Sequence, residues 1–333
     1  MRRLALNVIV FLIVFQLTTP AFGWGNNGHK TVGRVAELRL ANKPTTMAKI
    51  NEILRHGETL SSIATWADKV KNEDNFFVGA TNPDSDTQHF YNQLVNKHNR
   101  NWHFVDLPLG CTSYVDLRCK KFTSKTDIVQ LINICIRVLR GQTVAANLPR
   151  LNRRNALRML VHLVGDLHQP LHVGVGFVNV DGPDGEIVIA REPDEILNND
   201  FPSDMGGNKL LIKDEVSDNL HSFWDADLVD IARGNQNISQ FSQSLNSLAT
   251  PAWDPTGNPT TWAAQWATDT LGVSKKNAYD DTIKILKEVV IDDKTKYVTE
   301  KGPNYKDQNV DIVKEQLAKG GYRLAKLLQA IFP

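Results

Sequence analysis

Residues 152–174, NRRNALRMLVHLVGDLHQPLHVG, decide the fold. Over 152–168 the apolar residues recur every three or four positions, the period of an amphipathic helix. Pro170 ends it, because proline cannot donate to the preceding turn. His162 and Asp166 are four apart, so a helix projects both from one face. His172 lies beyond the helix end, and His168 beside Pro170 reads as a histidine held by a structural hydrogen bond.

Working outward, residues 27–41, 45–56, 61–71, 126–140, 217–232 and 279–290 carry helical spacing, as does the closing stretch DIVKEQLAKGGYRLAKLLQAIF, in which Gly320-Gly321 is a tolerated weak point. Strand signals are few: IVIA (187–190) and KLLI (209–212) read as two strands of a hairpin. Residues 177–207 stand apart, rich in Gly, Pro, Asn and acidic side chains from Asp181 to Asp204, and read as an exposed loop or hairpin. No internal repeat or long linker divides the chain. The expected fold is one mainly helical, all-α domain over 24–333 with a small β-hairpin or loop insertion.

The first 23 residues have another character. Arg2 and Arg3 precede an apolar run from Leu4 to Leu17, Thr18-Thr19-Pro20 break it, and Ala21-Phe22-Gly23 supply small residues. That is the layout of a secretory signal peptide. The run is short for a bilayer span, which needs roughly 20 residues, although a retained anchor is the alternative reading. Cleavage after Gly23 makes Trp24 the first residue of an exported protein, secreted or periplasmic, without stable membrane association. No obligate protein partner is evident.

The net charge of the 333-residue chain is +1, and loss of Arg2 and Arg3 brings it close to zero. Proteins that hold nucleic acid through phosphate charge alone are usually far more basic, so nucleic-acid chemistry here needs another anchor. Export permits disulfides. Cys111 and Cys119 bracket a short polar stretch and are placed to close a loop; Cys135, in an apolar helical pattern, reads as a buried thiol. Spacing alone leaves the pairing open. Asn237-Ile238-Ser239 is a glycosylation acceptor in a host with that machinery.

Histidines and aspartates carry the chemistry. His221 and Asp225 in NLHSFWD repeat the four-residue spacing of His162 and Asp166. Asp68 lies in WADKVK, His103 in WHFVDLP, and His29 in WGNNGH. No cysteine joins them, and a nitrogen-plus-carboxylate set suits catalytic rather than structural zinc, because water keeps a coordination position. His56, His89 and His98 match none of these spacings and read as solvated.

Taken in order, WGNNGH, WADKVK, WHFVDLP, HLVGDLHQPLHVG, GGN, NLHSFWD and GGYRLAKLL resemble the S1/P1 nuclease family of zinc-dependent nucleases over nearly the whole of 24–333. The resemblance implies a phospholipase C/P1 nuclease-like helical fold and three zinc ions. Asp68, His103 and His162 would hold the first. Trp24, through its free α-amino nitrogen and carbonyl oxygen, and His29 would hold the second, with Asp166 bridging the two. His172, His221 and Asp225 would hold the third. A free α-amino group titrates near 8, roughly two units below lysine, so a metal displaces its proton at modest cost. Signal cleavage would thus create part of the site.

The implied reaction is hydrolysis of phosphodiester bonds in single-stranded DNA and RNA to 5′-phosphorylated nucleotides, with removal of 3′-phosphate from nucleotides as a related activity. The paired zincs would acidify a bridging water. Asp68 would orient it, and Lys71, three residues on, would add positive charge. Phe104 would stack on a base and Asp106 would accept from base nitrogens. Alternatives are a zinc-dependent phospholipase C, whose last ligand pair typically ends in glutamate where this chain has Asp225, and an exported metal-binding or adhesion protein without catalysis.

The chain departs from the family pattern between His172 and Asp204-Met205-Gly206-Gly207-Asn208, where an acidic stretch near 178–203 is added and Met205 stands where the family often has a basic residue. The insertion leaves Val178 without a family counterpart. An acidic flap beside a phosphate site repels long polyanions most at low salt, so deleting 179–202 is expected to raise activity on long strands there.

Overall fold

A computed structural model describes residues 24–71, 84–93, 99–212 and 218–333. The expected signal segment 1–23, His98 and the first residue of the expected 217–232 helix lie outside the described residues.

The molecule is built on helices. The longest, α13 (Tyr305–Ile331), runs unbroken through Gly320 and Gly321. Near its middle it crosses α1 (Asn26–Leu40). A Cβ on Gly321 would sit 2.4 Å from Val35 Cβ, so this glycine permits close approach of two helices. What reads in sequence as a weak point is a packing contact. Also packed on α1 are α2 (Pro44–Ile53) and α3 (Leu60–Ile63), and α4 (Trp66–Lys71) follows them in the chain. Thr59 starts α3 with a reciprocal side-chain cap to Ser62. The expected 61–71 helix is thereby split in two, with a turn at 64–65.

Helix α5 (Ser85–Gln93) follows, then the pair α6 (Ile128–Leu139) and α7 (Arg153–Asp166), which pack together. Asp127 and Asn152 cap their first turns. From Asn155 to Asp166 every residue of α7 is buried. It is the central rod of the molecule, and its polar residues are therefore buried polar residues.

The strands are short: β1 (Leu107–Pro108), β2 (Gly174–Val175), β3 (Phe177–Asn179), β4 (Val188–Ala190), β5 (Leu210–Ile212), β6 (Lys284–Ile291) and β7 (Lys294–Glu300). Two expectations are corrected here. Residues 187–190 and 209–212 do not pair with each other: β4 is antiparallel to β3, and β5 is parallel to β7. Most of 279–290 forms β6 rather than a helix. Its run KILKEVVI fits both periods, but Asp292 and Asp293 take positive φ (50° and 56°), the backbone of a two-residue hairpin turn. The turn joins β6 to β7 and overrides the helical pattern.

Inside the insertion, α8 (Pro193–Asn199) follows the β3–β4 hairpin, and Phe177, Ala190 and Ile196 share a small core. The segment is therefore partly folded into the body. Helices α9 (Leu220–Ser222) and α10 (Leu228–Arg233) flank a π-turn, Phe223–Asp227, and α11 (Ile238–Asn246) and α12 (Pro259–Val273) complete the shell. Cys111 and Cys119 form a disulfide, while Cys135 is a buried thiol.

Candidate metal centre

The candidate ligands of the first cluster gather on α7, where α1, α4 and the His103 turn approach it. His29 lies one turn into α1, fully buried, with its ring stacked on His162 at 3.8 Å between centroids. Its Nε2 is 3.2 Å from Asp166 Oδ1 and 3.8 Å from Asp68 Oδ2. Asp68 on α4 faces His162 Nε2 at 3.5 Å. His103, just past a 3-10 turn, places Nδ1 3.0 Å from both His162 Nε2 and Asp166 Oδ2. These five groups make one cluster around the last two turns of α7.

Trp24 joins it through its ring. The indole is buried, and a Cβ on Gly165 would lie 2.9 Å from His29 Nδ1 and 3.9 Å from Trp24 Cδ1. The first distance is too short and the second an ordinary contact, so glycine at 165 is what lets the His29 ring lie against α7. The next amide, Gly25 N–H, donates to the Asp225 carbonyl at 2.8 Å, which ties the start of α1 to the second cluster.

That second cluster is His172, His221 and Asp225. His221 Nε2 is 3.2 Å from Asp225 Oδ2, and the His172 and His221 rings are 5.0 Å apart. His172 Nδ1 is 3.9 Å from Asp166 Oδ1, so the two clusters adjoin.

Second partners fix the ring orientations. His162 Nδ1 donates to the Ala64 carbonyl, His172 Nδ1 to the His103 carbonyl and His221 Nδ1 to the Gly206 carbonyl, each at 2.7 Å. In each ring this leaves Nε2 as the nitrogen available to coordinate a metal. Gln169 donates to Asp225 Oδ1 at 2.6 Å. Nothing in the sequence reading singled out Gln169 or the three carbonyls, because their roles depend on tertiary neighbours; the only visible signal was a glutamine inside the histidine motif.

The polar atoms left over test whether metal fits. Without hydrogen-bond partners are His29 Nδ1 and Nε2, Asp68 Oδ1, His103 Nε2, Asp166 Oδ1, His172 Nε2 and Asp225 Oδ2, all buried. An unpaired buried polar atom costs about 1–3 kcal/mol, so such a concentration calls for a partner of another kind. Among the described residues, three sets have ligand atoms within 4.8 Å of one another: His29, Asp68 and His162; His103, His162 and Asp166; and His172, His221 and Asp225. Nitrogen and carboxylate donors without thiolate fit zinc.

The electrostatics agree. Burial works against a charged His162, but Asp166 and Asp68 outweigh it and push the imidazole up to about 9. Burial and the Lys71 ammonium bring His103 down to about 3. Burial opposes ionisation of Asp166, yet its histidine neighbours hold it well below the usual carboxylate range. The carboxylates attract positive charge, as a metal centre requires.

Around the centre lie the other expected residues. Lys71 Nζ stands 3.9 Å from Asp68 Oδ1 on a largely buried side chain. In the extended segment after His103, Phe104 and Asp106 are half-buried while Val105 and Leu107 are buried, so the two side chains share a face. Burial pushes the Asp106 carboxyl up to about 6. His56 and His89 are exposed, and His168 donates from Nδ1 to the Val164 carbonyl at 2.8 Å and accepts from Arg323.

A mostly helical chain with adjoining buried clusters of imidazole and carboxylate is a metal-centre protein of the hydrolytic type. Its sequence matches the S1/P1 nuclease family model over residues 24–333. It is 27% identical to Nuclease S1 of Aspergillus oryzae, with 96% of this chain and 94% of that protein covered. It is also 27% identical to Endonuclease 2 of Arabidopsis thaliana, with 98% of each covered. Nuclease P1 of Penicillium citrinum is 25% identical over 92% of this chain and 97% of its own length. The chain belongs to the S1/P1 nuclease family and is a hydrolase of phosphodiester bonds.

Proposed function

We propose that this protein is an exported, zinc-dependent endonuclease that cleaves single-stranded DNA and RNA to 5′-phosphorylated nucleotides and removes 3′-phosphate from nucleotides. The observation that carries the reading is the set of buried nitrogen and oxygen atoms without a hydrogen bond on His29, Asp68, His103, Asp166, His172 and Asp225. Asp68, His103 and His162 would hold one zinc, Trp24 and His29 a second with Asp166 between them, and His172, His221 and Asp225 a third. Bound zinc supplies Lewis acidity, lowering the pKa of water to about 7 and neutralising charge on phosphate oxygens.

The chain's own groups do the rest. Asp68 turns an unpartnered oxygen into the cluster, where it would orient the attacking water. Lys71 would add fixed positive charge against the phosphate. Phe104 would stack on an unpaired base, which favours single strands. Asp106, ionised, would accept from base nitrogens. The metal positions anchor the phosphate, which explains how a chain of near-neutral charge serves a polyanionic substrate.

The Trp24 ring lies beside His29 and α7, which supports a role for a processed N-terminus. Two preparations test the reading, one beginning at Trp24 and one with a single residue added before it. Three zinc equivalents and nuclease activity are expected in the first, with fewer zincs and much lower activity in the second. Equal zinc and activity in both would remove the terminal amine from the site. Hydrolysis of phosphatidylcholine but not of single-stranded DNA would replace the nuclease reading with a phospholipase.

A further inference from the structure

The loop after the insertion is held in a conformation that needs a reason. Met205, Gly206 and Gly207 take successive positive φ values of 59°, 60° and 79°. For Met205 this is an unfavourable backbone, and such strain persists only where the surroundings over-determine it. A Cβ on Gly206 would meet the Leu171 carbonyl oxygen at 2.4 Å. The turn is thus pressed against the segment leading to His172, and its Gly206 carbonyl is the acceptor for His221 Nδ1.

Asp204 supplies the restraint. It is fully buried, and its carboxylate takes three donors from three segments. Gly207 N–H donates from the strained turn at 3.1 Å. Gly176 N–H, four residues after His172, donates at 3.2 Å. Tyr279 O–H, from the junction between α12 and β6, reaches the two oxygens at 2.9 and 3.1 Å. The backbone adds to this: Asp204 N–H donates to the Gly176 carbonyl, and Lys209 N–H donates to the Asp204 carbonyl. Asp204 touches neither His172 nor His221, yet it ties together the chain segments that carry one and orient the other.

We propose that Asp204, steadied by Tyr279, is a positioning residue for the third metal site. Its carboxylate clamps the left-handed turn so that the Gly206 carbonyl points His221 Nε2 at the same space as His172 Nε2 and Asp225. This rests on the three-zinc reading above. In the neighbouring cluster His162 is oriented by the Ala64 carbonyl and stands with Asp166 on α7, so the clamp is expected to act first on the third metal position.

The test is zinc release from Asp204→Asn and Tyr279→Phe proteins, each loaded with zinc and followed with a chromophoric chelator, with circular dichroism and Tm measured alongside. Loss of a partner that orients a metal-bound histidine typically weakens affinity 10- to 100-fold. In Asp204→Asn, one equivalent of three is expected to bind about 10- to 100-fold more weakly while the other two behave as in the parent. Added zinc should restore kcat, with a midpoint raised by the same factor and KM little changed. Tyr279→Phe keeps both backbone donors and should show the same single-site loss to a smaller degree. If Asp204→Asn does not fold, Tyr279→Phe carries the test. Three equivalents released as in the parent would overturn the proposal, and so would equal weakening of all three, which marks a general structural role. A parent protein that takes up fewer than three zincs would overturn the three-zinc reading itself.

Discussion

At the scale of single residues, burial determines what each group does. Asp106 is an ordinary acid by sequence, but its half-buried position raises the carboxyl to about 6. Its proposed partner is a base N–H, which needs the ionised form. Affinity should therefore be full above pH 6 and fall as the carboxyl protonates below it. KM for a single-stranded oligonucleotide is expected to rise as pH drops through that value, and Asp106→Asn should remove this inflection. A parent profile flat in KM from pH 7 to 5 would refute the role. Stacking on Phe104 is worth about 1–3 kcal/mol, so Phe104→Ala should lower kcat/KM on single strands by about 5- to 150-fold with zinc content intact. Lys71→Met should lower kcat about 100-fold or more, as removal of a transition-state charge partner does, again with zinc retained. Loss of zinc in that variant would make Lys71 part of the metal site's support instead.

At the scale of elements, contacts between helices set stability. Gly321→Ala would force a methyl into Val35 across the α1–α13 crossing. Overpacking of this kind costs about 1–3 kcal/mol, and a lower Tm at unchanged kcat per folded molecule would show it. The start of α7 is held by charge. Burial raises the Asp86 carboxyl, but Arg154 and Arg55 more than reverse it. Burial likewise raises Asp84, and the Thr87 N–H with Arg158 and Arg55 brings it down. Acids with lowered folded-state values add stability that is present above 3.8 and lost as pH falls through the folded value. Urea midpoints should therefore drop steeply below about pH 4, and Arg154→Gln should flatten that decline.

For the whole molecule, metal and fold are one system. The unpartnered atoms come from α1, α4, the His103 turn, α7 and the π-turn after α9, so a ligand to them joins most of the chain. Stripping divalent ions with a chelator should lower Tm by many degrees, and zinc should restore it, because a ligand that binds only the folded state stabilises it by mass action. The role expected of the insertion belongs to this scale, because it would act through its field. Asp181, Asp194, Glu195 and Asp200 are exposed on it. We expect their joint replacement by Asn and Gln to flatten the salt dependence of activity on long strands. This variant is the better probe than a deletion, since β3 and α8 contribute to a small core. An unchanged salt profile would dismiss the insertion as an electrostatic barrier.

Much of this was legible along the chain. The helical period placed α1, α2, α6, α7 and α13, and the four-residue spacing of His162 with Asp166 and of His221 with Asp225 marked donors on shared faces, because local periodicity is a property of neighbouring residues. Folding alone decided the remainder. Residues 283–291 satisfy two periods, and a tight turn at Asp292-Asp293 chose the strand. The pairing of β5 with β7 joins segments more than 80 residues apart, which no local pattern encodes. The same holds for the carbonyls of Ala64, His103 and Gly206 that orient three histidines, and for the Asp204 clamp. Residue types and periods state which groups are available for chemistry, and long-range packing decides which of them meet and which atom of each faces the metal space.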